Sequence, residues 1–280
     1  MSAMVAVTLL GCAGKGSAEL VPAAPRNDLM AAMAVTRPAS DFTWVENAIV
    51  RGPRDEKVIA LMFTGGSWGD GTMDILDTLE ERGILGSFYF TGEFLANPQN
   101  QAALKRMIAA GHTVGAHGHG HLLYAPWEDR SQTLVTQEEF TEDLLLNMAA
   151  LEALGVPRER SIWWVAPYEW YNRQHVEWSL AIGMRLFNFS PGTLSHADYT
   201  ESDAPNFRSN DTIYRSIVDF EANQPDGLNG FILFTHVGSS PKRLEKFHTR
   251  LPELLDHLLA RGYRFVLVED LLEGAPFLPE

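Results

Sequence analysis

The chain has 280 residues, 45% hydrophobic and 21% charged, which excludes a peptide that needs disulfide staples and fits a globular protein of one large or two small domains. Its 22 Lys+Arg against 36 Asp+Glu leave a formal charge of -14; a surface of that sign repels phosphate backbones, so no nucleic acid is expected as a partner. The single cysteine, Cys12, excludes a disulfide framework or a thiolate zinc site within the chain and leaves the nine histidines as the better metal ligands.

Residues 3–14 read AMVAVTLLGCAG, an apolar run shorter than the roughly 18 to 20 residues that span a bilayer. Its end, Leu9-Leu10-Gly11-Cys12, resembles a bacterial lipobox, in which the cysteine is lipidated on sulfur and becomes the mature N-terminus. The positively charged start of a secretory signal is missing, and an apolar tail with a spare thiol is the other reading. The resemblance implies an exported lipoprotein, held at the periplasmic membrane surface or the outer leaflet through lipidated Cys12. Residues 13–40, rich in Ala, Pro, Gly and Ser, suit a flexible tether. Residues 1–40 are therefore set aside as leader and tether, and 41–280 are expected to form the domain that carries the chemistry.

From residue 57 short β-branched or aromatic runs alternate with amphipathic stretches. The run KVIALMF (57–63) is continuously apolar, as a strand buried on both faces should be. In 72–83, Ile75, Leu76 and Leu79 share a helical face that stops at Gly83. Further strands are expected at 86–92, 112–118, 161–167, 184–190, 230–236 and 263–270, with helices at 99–110, 137–154, 172–183 and 244–261. Seven strands mostly alternating with helices predict an α/β fold with a parallel sheet, a barrel or near-barrel whose site lies at the strand C-terminal ends. The unusual polar residues do fall there, after 63, 116, 166, 189 and 235.

The strongest local signal is Ala116-His117-Gly118-His119-Gly120-His121. Its glycines leave room around the imidazoles, and His117 and His121 are spaced so that a short turn aims both at one ion. His119 points the other way in an extended reading and is expected to be structural. Two nitrogen ligands call for a carboxylate, and Asp70 is the only one in the loop Phe63-Thr64-Gly65-Gly66-Ser67-Trp68-Gly69-Asp70-Gly71-Thr72. Capping of the helix near Thr72 is its alternative role.

The order of these segments resembles the polysaccharide deacetylase (NodB-homology) family, carbohydrate esterase family four. The matching stretches are MFTGG (62–66), HGHGH (117–121), VAPYEWYN (165–172) and LFTH (233–236), across roughly residues 55–272. The resemblance implies a distorted (β/α)7 barrel of the NodB-homology type. It also implies a metal-dependent hydrolase that removes acetyl groups from a carbohydrate through metal-activated water. The ion would be zinc, with cobalt, nickel or manganese as alternatives, held by Asp70, His117 and His121.

The departures concern the carboxylates. Where the family carries a general-base aspartate and a metal-binding aspartate, this chain has Thr64 and Gly65. Glu169, at the position of a family glycine, is the leading replacement as base or ligand, with a salt-bridged loop residue as its bland reading. His236 resembles the family's catalytic acid, and Tyr168 the residue whose amide helps hold the oxyanion. Trp68, Trp170, Asn172 and Asp198 are candidate substrate contacts, Asp198 equally readable as a turn residue. Loss of both family aspartates supports a second function class, a catalytically silent carbohydrate-binding protein on the same scaffold.

Overall fold

The computed structural model of the protein describes residues 36–279. Cys12 and the proposed tether lie outside the described residues, apart from the last few before residue 40. Nine strands are described: β1 (Thr43–Val45), β2 (Ala48–Arg51), β3 (Val58–Gly65), β4 (Ser87–Phe90), β5 (Thr113–Ala116), β6 (Trp163–Trp164), β7 (Arg185–Leu186), β8 (Phe231–His236) and β9 (Arg264–Val266). The helices are α1 (Thr72–Glu81), α2 (Gly92–Ala96), α3 (Gln101–Ala110), α4 (Gln137–Ala153), α5 (Arg173–Ala181), α6 (Asn210–Asn223), α7 (Leu251–Ala260) and α8 (Val268–Leu271).

The central strands are parallel in the order β8-β3-β4-β5, with β2 antiparallel to β8 and β1 outside it. β6 and β7 form a separate parallel pair. Single backbone bonds complete the circuit, Val165 N–H to Ala116 O at 3.2 Å beyond β5 and Ser190 N–H to Ile232 O at 3.1 Å onto β8. The result is a distorted (β/α)7-type barrel, in which β6 and β7 are only two residues long.

All eight residues of β3 are buried because both of its faces are covered. Ile59, Leu61 and Phe63 meet the helix layer, whereas Val58, Ala60 and Met62 join Tyr89, Phe187, Ile232 and Phe234 in the barrel interior, the period-two alternation of a pleated strand. Local signals fix the helix ends. Thr136 and Glu139 form a capping box at α4, Asn172 and His175 one at α5, and Gly111 closes α3 at φ 86°.

Several elements differ from the sequence reading: α6 fills a stretch after residue 190 for which no helix was expected, and the helix expected at 244–261 begins only at Leu251. The β1–β2 hairpin was not foreseen, because its turn places Glu46 and Asn47 at φ 49° and 65° without the glycine that usually marks such a turn. The apolar run 263–270 is a strand only over Arg264–Val266 and then turns into α8, whose Val268 and Leu271 pack into the interior layer.

Candidate active site

The strand ends converge as the barrel requires. Thr64 stands beside His236 across the β3–β8 ladder, and Gly65 beside Phe90 on β4. His117 follows β5 and donates its backbone N–H to Phe90 O at 3.1 Å. Glu169 ends a tight turn, Pro167–Glu169, after β6, and Asp198 lies in the turn Ser195–Tyr199 after β7. A cavity of about 660 Å³ opens over these ends, lined among others by Thr64, His117, His121, Tyr168, Glu169 and His236.

The histidine loop is shaped by one helix. Asp143 of α4 accepts the His119 N–H at 3.1 Å, the Gly120 N–H at 2.6 Å and the Tyr124 hydroxyl at 2.8 Å. Asn147, one turn on, accepts the His117 N–H at 2.9 Å. Gly118 is obligatory: at φ 73°, a Cβ there would stand 2.6 Å from Pro167. The His117 and His121 rings come within 5.1 Å of one another. The backbone acceptor Val165 O sits 3.1 Å from His117 Nδ1, which fixes the proton there and leaves Nε2 facing the cavity. Burial, reinforced by the neighbouring histidines, holds His117 well below the ordinary imidazole range and His121 down at about 4, so both are neutral at physiological pH. His119 points away from the cavity; a Cβ on Gly92 would run into its ring.

Glu169 is the unusual group. Tyr168 and Glu169 are consecutive left-handed residues, at φ 59° and 52°, a conformation that glycine takes without cost. The Asn188 side-chain amide donates to Glu169 O at 2.8 Å and holds the turn. The carboxyl is only 14% exposed, Oε1 is buried without a hydrogen-bond partner, and it lies 3.7 Å from His117 Nε2. Burial pushes its pKa up to about 7. Nearby, Asp198 accepts from His236 twice, from the backbone N–H at 2.8 Å and from Nδ1 at 2.7 Å. Burial alone would lower the His236 imidazole, but the Asp198 carboxylate outweighs it and leaves the group above its ordinary value. The Asp198–His236 unit and Glu169 thus bring an imidazole and a carboxyl, each with a raised pKa, to one cavity.

The structure gives several of the expected site residues other partners. Asp70 is not among the residues on the lining: its Oδ1 accepts the Ser239 N–H at 3.0 Å and its Oδ2 pairs with Lys246 Nζ at 3.0 Å, so both oxygens are already engaged. Although partial burial pushes its pKa up, Lys246 and the Ser239 amide prevail and hold it below the ordinary carboxylate value. Asn172 caps α5 and ties its side-chain amide to Arg130 O and Gln132 O, buried and not on the cavity lining. Trp170 donates its indole N–H to Pro126 O and carries the Arg130 guanidinium 4.4 Å over its ring, backing Trp127 and not lining the cavity. Asp198 is buried, bonded to His236, and not on the cavity lining. Trp68 does line the cavity, exposed.

Trp127, Tyr199 and Glu93, also on the lining, were missed as site residues, as were the braces Asp143 and Asn147. The braces left a signal: both polar residues sit on the stripe Phe140, Leu144, Met148, Leu151 that α4 buries.

A divalent ion fits only in part. Among the described residues no three His, Cys, Asp or Glu side chains stand as a ready metal shell. The two neutral imidazoles and the unpartnered oxygen of Glu169 are the donor types that zinc takes, whereas the expected third ligand, Asp70, is committed elsewhere.

Residues 51–187 match the family model of polysaccharide deacetylase. The peptidoglycan-N-acetylmuramic acid deacetylase PdaA of Bacillus subtilis is 36% identical over 76 residues, covering 27% of this chain and 28% of that protein. The peptidoglycan-N-acetylglucosamine deacetylase of Bacillus cereus is 23% identical over 235 residues, 83% of this chain and 75% of that one. A pseudoenzyme of carbohydrate esterase family four from Bacillus anthracis superposes with a TM-score of 0.64 at 18% identity, covering 83% of this chain and 71% of that one.

Proposed function

Because the domain that builds this cavity belongs to the polysaccharide deacetylase family, on a branch without the two strand-end aspartates, we propose that the chain hydrolyses acetyl groups from an acetylated glycan. The observation that carries the reading is the placement of Glu169 and the Asp198–His236 pair in one cavity. Glu169, with a pKa of about 7, takes the proton of the attacking water. His236, whose protonated form Asp198 favours, gives a proton to the departing amine or alcohol. The backbone N–H of Tyr168 supports the oxyanion that forms at the acetyl carbonyl. A divalent ion, zinc by donor chemistry, would be held by His117 and His121 beside Glu169, and would supply Lewis acidity and a more acidic water. Acetate and a free amine or hydroxyl leave. The reading extends to location: lipidation of Cys12 would tether the domain at a membrane surface outside the cytoplasm.

A silent glycan-binding protein is the second reading, and Gly65 favours it. A Cβ at this position would stand 2.6 Å from Val237 Cγ2 and 2.9 Å from the Phe90 ring, so the room a strand-end aspartate needs is filled. Acetate release from acetylated chitin, xylan and peptidoglycan oligosaccharides separates the two, measured with zinc or cobalt supplied and with Glu169→Gln as control. Turnover lost in the variant supports hydrolysis. Saccharide binding without acetate release across the panel establishes the silent reading.

A further inference from the structure

Behind one wall of the cavity lies a buried cation that takes no part in the hydrolytic steps. Arg243, seven positions beyond His236, is fully buried, and its guanidinium donates to neutral oxygens. Nη1 reaches the Thr200 carbonyl at 2.9 Å and the Thr200 hydroxyl at 3.2 Å. Nη2 reaches the Arg208 carbonyl at 2.9 Å and the Asn210 side-chain oxygen at 3.0 Å. Nε is buried with no partner. Burial lowers the pKa of the guanidinium, and the charges of Asp198 and Glu245 offset this only in part. A buried charge of this kind is a poor stability device, since a well-packed apolar side chain of similar volume often holds a core as well or better.

The guanidinium fork holds that wall at both ends. Thr200 and Asn210 bound the irregular segment between the Ser195–Tyr199 turn and α6, and Thr200, Glu201, Ala204 and Asn206 within it line the cavity. Thr200 also closes the turn: its hydroxyl donates to Ala197 O at 2.8 Å and accepts the Arg208 N–H at 3.2 Å. Asp198 sits in the same turn and accepts from both the backbone N–H and Nδ1 of His236. Arg243 therefore ties the chain leaving His236 to the chain leaving Asp198. A planar guanidinium can do so because its donors point two ways in fixed geometry, which a lysine ammonium lacks. Resting on the deacetylase reading, we infer that Arg243 is a positioning residue of this site: it holds the Thr200–Asn210 wall and, through Thr200, keeps Asp198 in register with His236.

The test uses the full chain and two readouts: acetate release from acetylated chitin oligosaccharides across pH, and the titration of the His236 imidazole by NMR, which needs no turnover. Arg243→Lys keeps the charge and loses the fork. It is expected to lower kcat about 10- to 100-fold and to raise KM. Its His236 should titrate at lower pH than in the parent, because the contact with Asp198 is what raises that group. The falling limb of the rate profile should move with it. Glu169 also raises His236 and the charge of residue 243 lowers it, and both are retained in this variant. Thr200→Val removes one acceptor of the fork and leaves the carbonyl. It should shift both readouts the same way by less, and it carries the test if Arg243→Lys does not fold. With acetate released by the parent, an unshifted titration, or an unchanged kcat and KM, overturns the inference whatever happens to stability, and the deacetylase reading stands. With none released by the parent, a shifted titration removes that reading and keeps the positioning role, and an unshifted one removes both.

Discussion

The loops that follow β3 and β5 had opposite fates. The β5 loop keeps both cavity-facing imidazoles, and α4 braces it through Asp143 and Asn147. The β3 loop has Thr64 and Gly65 at its strand end, and the space beside Gly65 is closed by Val237 and Phe90. The carboxylate nearest in sequence, Asp70, is engaged by Lys246 and the Ser239 amide and is not on the cavity lining. The carboxylate that stands beside His117, Glu169, comes from the turn after β6, a different strand altogether. A site is thus maintained by whatever side chain the barrel aims inward, and sequence proximity to a lost residue is a poor guide to its replacement.

The largest expected effect tests this contrast directly. Glu169→Gln should lower kcat by about 10²- to 10⁴-fold, the usual range for a general base, in an acetate-release assay. The pH profile follows from the same groups. Activity should rise as Glu169 loses its proton near pH 7 and fall as His236, whose pKa Asp198 raises, loses the proton it must donate. In Glu169→Gln the rising limb should vanish. Stability carries a matching sign: the folded pKa of about 7 lies above the ordinary 4.5, so the contribution of Glu169 is complete below pH 4.5 and is lost as pH rises through about 7. Thermal melts should therefore show Glu169→Gln gaining on the parent at pH 8 and not at pH 4.

Next in size come two stability effects, one for each loop. Asp143→Ala leaves two backbone N–H groups and the Tyr124 hydroxyl without their acceptor, at a cost of about 1–3 kcal/mol that denaturant unfolding reads. Gly65→Asp, which writes the family residue back, should cost a similar ~1–3 kcal/mol through overpacking. Adding Val237→Ala should recover part of it; a Gly65→Asp protein as stable as the parent would show that the β3 end is still open. The smallest effect belongs to Asp70→Ala. Its carboxyl is 44% exposed and its ion pair is worth about 0–1 kcal/mol, so turnover should stay close to that of the parent. A collapse of activity in this variant would reverse the contrast between Asp70 and Glu169.

Much of the architecture was legible because it rests on local periodicity: the buried run of β3, the stripes of α1 and α4, the glycines around His117. The positions of His117, His121, Glu169 and His236 followed from their place at strand ends. What could not be read depended on partners distant in sequence. Asp70 is decided by Lys246, 176 positions away, Asn172 by the Arg130 and Gln132 carbonyls, and Asp198 by His236. Trp170 and Trp127 are indistinguishable by type, and only packing under Arg130 makes the first a support and the second a wall. The β1–β2 hairpin escaped because its left-handed turn residues are Glu46 and Asn47.

The left-handed turn at Tyr168 and Glu169 gives the fold a socket for a side chain. A backbone already bent as glycine would bend it presents residue 169 to the cavity whatever that residue is, with Asn188 clamping the peptide behind it. Chemistry at this position is therefore interchangeable at modest conformational cost. A histidine, an aspartate or a cysteine introduced at 169 would enter the same chamber beside His117, which makes this one codon the natural place to retune or repurpose the barrel.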